Sequence, residues 1–510
     1  MLYDILLILY FAGTLLGLWF VFKKAGVAPW KALIPIYNIV VWIQVCGKSW
    51  KWYIYFLIPA INVFCFLLMV VETAKVFRRY GFWEQLAAVI FPWIYLPVLG
   101  LSKKATYHDP KTDPPAKVSE ARDWADAIVF ALVAATIIRG NIFELYNIPS
   151  SSMEKSLQVG DYLLVSKLAY GPRVEVTPLS LPLVHNTIPL TGDKVESYLK
   201  WIRLPYHRYP GYTHVKRYDA VVFNFPAGDT TLHASPGNQF TYYDAVRDGN
   251  RELLKEGWFT RPVDKRTNYI KRCIGMPGDD LQIIDQVVYI NGKPIDTPRE
   301  SQTTYSFLTN VKGFPPQYVM QEMDRLGVSY ADIDNSGPFF IDSSRLLAVY
   351  TVPLTRKMAS RLAYTDMGSY LHTDTIPAET DGSLFPNIAG YPQSVDNFGP
   401  IHIPAKGEVV KLNDSILPYY RRLITVYENN TLEVKDGIYY INGESTDSYT
   451  VKQNYYWMMG DNRHHSQDSR FWGYVPEDHI AGKAQFIYFS WDKDHKKIRW
   501  NRMFKKANDR

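Results

Sequence analysis

The chain has 510 residues, 47% hydrophobic and 15% aromatic, with a formal net charge of +6. Apolar residues crowd into the first third, so the mean hydropathy of −0.16 averages a membrane-like part with a polar one. The lysines and arginines sit mainly beside apolar runs, which fits membrane topology rather than a nucleic-acid-binding stripe. Cys46, Cys65 and Cys273 imply no disulfide framework and offer no CxxC metal spacing.

From residue 2 to 22 only Asp4 interrupts an apolar run of the length a helix needs to cross a bilayer. Without a basic leader and ending in Lys23 and Lys24, it reads as a retained span, not a cleaved signal. Segments 53–71, 85–101 and 124–138 are further candidates, about four spans in all, while 35–45 is short and aromatic like an interfacial segment. Lys103, Lys104, Lys111, Lys117 and Arg122 put 102–122 in the cytoplasm and everything past residue 141 outside. Lys75, Arg78 and Arg79 then fall on the outer side, against the rule. Pro92 and Pro97 are what a re-entrant 85–101 segment would carry.

Beyond residue 141 the pattern is mainly β, with runs at 162–165, 220–225, 269–274 and 485–489, and a helix at 317–326. Residues 281–292 and 432–443 echo each other, each reading as a β-hairpin whose Asn-Gly supplies the positive φ angles of a tight turn.

Three polar segments stand out. Just after the last span comes Asn147-Ile-Pro-Ser-Ser-Ser-Met153; a serine needs a base to become a nucleophile, and by itself this stretch is a polar loop. In Asn268-Tyr-Ile-Lys-Arg-Cys-Ile274 strand alternation puts Lys271 on one face with Tyr269 and Cys273. Desolvation there would lower its pKa towards that of a general base, whereas an isolated strand lysine more often snorkels to water. The segment 459–475 packs Asp461, Arg463, Asp468 and Arg470 among Asn and Ser, as a buried network behind a site would, or a solvated loop. His464 and His465 are adjacent and no HExxH exists, so no metal is expected.

In order and content the three segments resemble the motifs of bacterial type I signal peptidases, the Ser–Lys dyad peptidase family. The serine box is Pro149-Ser150-x-Ser152-Met153, the lysine box runs from Tyr269-Ile-Lys271-Arg272 to Pro277-Gly-Asp279, and the last runs from Gly460-Asp-Asn-Arg463 to Ser466-x-Asp468-Ser-Arg470-x-Trp472-Gly473. A weaker fourth match is Arg217-x-Asp219-x-Val221-Val222-Phe223. Lys155 and Ser156 stand where the family usually has Pro and Thr, and Tyr218 where it usually has Gly.

The resemblance implies that Ser152 is the nucleophile and Lys271 the general base, with the Ser152 N–H and Ser150 hydroxyl as oxyanion hole. Ser466 would orient Lys271; Asp461 with Arg272, and Asp468 with Arg470, would be structural ion pairs. Tyr146, Ile148, Pro149, Met153, Leu157, Leu163, Tyr269 and Ile270 would line shallow pockets for small residues at −1 and −3 of the signal peptides of exported preproteins. No cofactor is implied; membrane lipid and a nearby secretion translocon are the other expected partners, at the bacterial cytoplasmic membrane, with the catalytic domain outside.

The expected architecture is a multi-span α-helical membrane region followed by a mainly-β catalytic domain with a large inserted β-rich subdomain. Its boundaries are 1–105 for about three spans, 106–123 for a cytoplasmic linker and 124–140 for the anchor span. The catalytic domain takes 141–297 and 451–495 around the 298–450 insertion, and 496–510 is a basic tail. Ser152-x-x-Lys155 also fits a penicillin-binding-type acyltransferase, but no S-D-N or K-T-G accompanies it. A self-cleaving repressor would carry a DNA-binding domain in place of spans, and a non-enzymatic membrane scaffold would lack a catalytic residue.

Overall fold

The computed structural model describes residues 2–57, 61–113, 120–181, 184, 187–188, 191, 195–227, 230–232, 258–310, 316–329, 339–342, 347–365, 371–379, 382–388 and 390–507. The chain divides into two compact units, Met1–Ile142 and Phe143–Arg510.

The first unit is helical: α1 Leu2–Lys24, α2 Tyr37–Val45, α3 Lys51–Leu57, α4 Ile61–Val76, α5 Phe82–Ile90, α6 Pro92–Leu101 and α7 Glu120–Asn141. Among the described residues no helix is long and apolar enough to cross a membrane. The expected 53–71 span takes in parts of α3 and α4, with residues 58–60 outside the described residues, and 85–101 is divided between α5 and α6, where Pro92 has no N–H to continue the ladder. α6 lies along α1 so closely that a Cβ on Gly17 would come within 2.4 Å of the Leu96 Cβ. Leu18, Val21, Phe22, Trp42, Met69, Val70 and Leu96 form the buried core.

Polar contacts gather several helix ends of this unit on one side. The Lys24 ammonium donates to the Ser102 carbonyl at 2.5 Å and the Tyr107 hydroxyl to the Val45 carbonyl at 2.8 Å. His108 N–H donates to the Val76 carbonyl at 2.9 Å, and Arg78 pairs with Asp113. The basic stretch at 75–79 therefore lies beside 102–113, and α5–α6 leaves that side and returns to it. At about 1.5 Å per residue each of these two helices covers only about half of a ~30 Å hydrocarbon layer.

The second unit is mainly β. Its main sheet runs Phe143–Asn147, Asp161–Ser166, Ile480–Asp492, Ala220–Asn224, Asn268–Gly275, Tyr455–Met459, Val475–Pro476, with every neighbouring pair antiparallel. These are the strands expected at 162–165, 220–225, 269–274 and 485–489, and the helix expected at 317–326 is Pro316–Leu326. Within 496–507, Lys497–Ile498 pairs with the long strand of this sheet, and Arg502 forms a buried bidentate pair with Asp161.

Both echoing segments pair as expected, Leu281 with Ile290 and Leu432 with Ile441, but the Asn-Gly turns sit one strand later. Asp285-Gln286 and Asp436-Gly437 make the first turns, all at positive φ, while Asn291-Gly292 and Asn442-Gly443 lead into a third short strand. Each copy is thus a three-stranded meander.

The expected insertion has two parts. Residues between Leu384 and Val451 share a core with Ile274, Leu281, Tyr455, Trp457 and Tyr474 of the catalytic segments, and Phe398–His402 pairs with Asp280–Ile284. In contrast, Gln302–Asn310, Leu347–Thr355, Phe339–Asp342 and Leu371–Thr373 form a separate four-stranded sheet with its own core around Phe307, Tyr350, Leu354 and Met358. The first and last strands of that lobe are paired, Ser306 opposite His372.

Candidate active site

The Asn268–Gly275 strand is interior to the main sheet, with Val221 opposite Lys271 on one side and Met459 opposite Arg272 on the other. Hydrogen bonding on both edges fixes the lysine rigidly, and the Arg217-to-Phe223 match is the strand that pairs with it. The Arg217 guanidinium also holds Asp279, at 3.0 Å, and the Ile274 carbonyl, at 2.6 Å.

Ser152 lies in a 3-10 turn, Ser151–Met153, whose register is set by burial of Met153 and Leu157. Those two pack with Ile148, Leu163, Tyr146 and Ile270 in one apolar cluster; Tyr269 belongs to the neighbouring one, tilted against Phe225 and edge-on to Trp472, and Pro149 is exposed. The Lys271 Nζ is 2.6 Å from the Ser152 Oγ and 5.6 Å from the Tyr269 ring centre. Lys271 is 3% exposed. Burial pulls its pKa down to about 8, against the opposing pull of Asp468 and Asp461 and with help from Arg470. An amine whose pKa burial has lowered, within hydrogen-bond distance of a serine hydroxyl, is an arrangement that suits a serine nucleophile.

The strand Tyr455–Met459 runs directly into the loop behind the pair. Asn462 N–H donates to the Ser152 carbonyl at 3.1 Å and its side-chain amide to the Ser151 carbonyl at 3.2 Å. A Cβ on Gly460 would lie 2.2 Å from the Ser466 Oγ and 2.6 Å from the Ser152 carbonyl oxygen, so only glycine fits between them. Arg272 reaches Asp461 through Nε at 2.8 Å and a terminal nitrogen at 2.5 Å, and Arg470 grips Asp468 at 2.9 and 2.8 Å. Burial pushes both carboxyls up, but the facing guanidinium together with neighbouring hydrogen bonds and charges, the Gly460 N–H among them for Asp468, holds them below the usual carboxylate range. Ser466 donates to Asp468 at 2.9 Å; that is its hydrogen bond, with none to Lys271 among the described residues. The Ser150 hydroxyl, at the start of the turn, makes no capping bond.

Lys155 points elsewhere, donating to the Gly327 carbonyl. His464 accepts from the Thr304 N–H at 3.1 Å and meets Asp396 at 2.8 Å, a structural bridge between the loop and the lobe. Among the described residues no three His, Cys, Asp or Glu side chains are placed to hold a metal ion.

Sequence reasoning passed over Asn462, Gly460 and Gln302. Gln302 N–H donates to the Asp461 carbonyl at 2.8 Å and its carbonyl accepts from the Arg463 N–H at 2.9 Å. The last motif offered Gly460 and Asn462 as letters, but what they meet are the backbone carbonyls of Ser151 and Ser152; Gln302 gave no signal.

A serine hydroxyl 2.6 Å from a buried amine is geometry that suits the serine hydrolase class. Residues 121–331 and 401–491, more than half of the chain, match the family described as signal peptidase, peptidase S26. The chain belongs to that family and is a serine protease. It is 23% identical over 447 residues to the Signal peptidase I of Haemophilus influenzae, covering 87% of this chain and 90% of that one. It is 22% identical over 380 residues to the Signal peptidase I of Rickettsia conorii, 73% and 83% of the two chains, and 60% identical over 42 residues to that of Aquifex aeolicus, 8% and 16%. Residues 30–110 match a family of unknown function, DUF5684.

Proposed function

We propose that the chain is a signal peptidase in which Lys271, as neutral amine, takes the Ser152 proton as the oxygen attacks the scissile carbonyl. The resulting ammonium then protonates the departing amine, and Lys271 activates water to release the acyl group. The single observation that carries this reading is the 2.6 Å approach of a buried Lys271 to Ser152. The Ser152 N–H and Ser150 hydroxyl stabilise the oxyanion, and the Asp461–Arg272 and Asp468–Arg470 pairs, with Ser466, hold the loop behind the dyad.

The substrates are preproteins with small residues at −1 and −3, admitted by pockets drawn from Tyr146, Ile148, Pro149, Met153, Leu157, Leu163, Tyr269 and Ile270. The helical unit holds the enzyme in the cytoplasmic membrane near the translocon, α7 being the anchor and 141–510 extracytoplasmic, with catalytic segments 141–297 and 451–495. The 2.4 Å approach of a Gly17 Cβ to α6 favours that reading, since small residues at helix contacts are the habit of membrane bundles.

The test is cleavage of a preprotein bearing an Ala-x-Ala site by the detergent-solubilised chain. Ser152→Ala, Lys271→Ala and Lys271→Arg should each be inactive, the last because guanidinium stays protonated. Substantial cleavage by Lys271→Ala would remove Lys271 as the base.

A further inference from the structure

A polar cleft of about 660 Å³ opens where the lobe joins the loop behind the dyad. Its walls come from five separate segments: 285–287, 297–301 with Thr303 and Tyr305, 355–357, Thr373, and Arg463. Arg299, Arg356, Lys357 and Arg463 line it against two carboxylates, Asp285 and Glu300. Among the described residues the side chains of Arg299, Arg356 and Lys357 have no hydrogen-bond or ion-pair partner.

Arg463 is the unusual member. It is 7% exposed, its Nε has no hydrogen-bond partner among the described residues, and a terminal nitrogen touches only the Met459 sulfur, at 3.9 Å. Burial and the neighbouring Arg470 pull its pKa down to about 10, against Asp461 and Asp468, both of which already serve other guanidinium groups. A buried, under-coordinated guanidinium is costly unless something neutralises it. The cleft also receives the first turn of the Arg356–Ala363 helix, capped by the Thr355 hydroxyl accepting from the Met358 N–H at 3.2 Å. Its positive end adds to the field of the side chains.

We propose that this cleft is a binding site for a phosphate-bearing anion, free or as a lipid headgroup, held by Arg299, Arg356, Lys357 and Arg463. The volume is that of a small-molecule site, and cations converging from three segments suit a compact, multiply charged group better than an extended acidic peptide. The ligand would sit one residue from Asn462, which holds the nucleophile's carbonyl.

The probe is pyrophosphate, titrated calorimetrically into the detergent-solubilised full chain in phosphate-free buffer. Saturable binding is expected, weakening as salt is raised, equal in Ser152→Ala, and at least about tenfold weaker in Arg356→Gln/Lys357→Gln. Both changed side chains are exposed, so that variant should fold and cleave preprotein in phosphate-free buffer as the parent does. Arg299→Gln gives an independent, smaller loss. Competition by phosphatidylglycerol in the micelles, but not phosphatidylcholine, assigns the site to a lipid headgroup; absence of competition assigns it to a free phosphate. No saturable binding, binding unchanged in both variants, or displacement by polyglutamate but not by phosphate overturns the proposal.

Discussion

Lys271 carries two consequences of one burial. With a pKa of about 8, its neutral fraction grows about tenfold per pH unit below that value, so kcat/KM should rise with that slope and level off above pH 8. A flat profile between pH 6 and 9 with stable enzyme would count against the assignment. The folded pKa lies below the unfolded one, so the unfolded state binds more protons between about pH 8 and 10.5 and stability rises with pH through that window. Below it, keeping the ammonium buried costs roughly 3 kcal/mol. Lys271→Met should therefore be inactive but melt higher at pH 7, with the gain shrinking to nothing by about pH 10.5. The departures from the family pattern are also backbone statements. Tyr218 has φ +72°, a region where glycine is free of the ~1–2 kcal/mol cost borne by other residues, and its hydroxyl donates to the Asp296 carbonyl at 3.0 Å. Lys155 has φ +69°, which a proline ring cannot reach.

The strand that presents Lys271 and the turn that presents Ser152 come from distant parts of the chain, and the Tyr455–Met459 strand with its loop fastens one to the other. Gly460→Ala would drive a methyl group into the Ser466 hydroxyl and Ser152 carbonyl, so kcat should fall at least about 100-fold, as a displacement of order 1 Å can cost. Thermal unfolding of the variant distinguishes this from collapse of the domain. Asn462→Ala removes one bond to the Ser151 carbonyl and leaves the backbone bond to Ser152, so a loss nearer tenfold is expected. The closeness of Ser152 to Lys271 and both ion pairs were expected from the family motifs, and the core strands were legible from apolar alternation. The Asn462 clamp and the Gln302 bridge were not, because the groups they hold are backbone carbonyls and N–H groups that every residue possesses. The meanders were half legible: pairing followed the apolar alternation, but Asp285-Gln286 took the first turn although its letters are weaker turn formers than Asn-Gly.

At the scale of the whole molecule, hydropathy marked the apolar segments but could not say which of them turn back. The bonds joining 76–78 to 108–113 put the basic residues that broke the positive-inside rule beside those that obeyed it. In a chain cleared of its native cysteines, cysteines at positions 79 and 111 should both resist an impermeant thiol reagent in intact cells, and one at 413 should react. Labelling at 79 but not 111 would restore four spans; labelling at 111 but not 413 would invert the enzyme. The lobe invites a second experiment. Because Ser306 faces His372 across an antiparallel pair, residues 307–371 can be replaced by a two- to four-residue turn. The shortened chain should keep preprotein cleavage within about tenfold, since the lobe has its own core, and should lose pyrophosphate binding along with Arg356 and Lys357. The same pair is a splice port. A foreign domain whose own termini lie close together could be grafted there, on a stem two hydrogen-bonded strands wide that leads down to Gln302 and the loop holding the nucleophile, making strain in the guest readable as a change in peptidase rate.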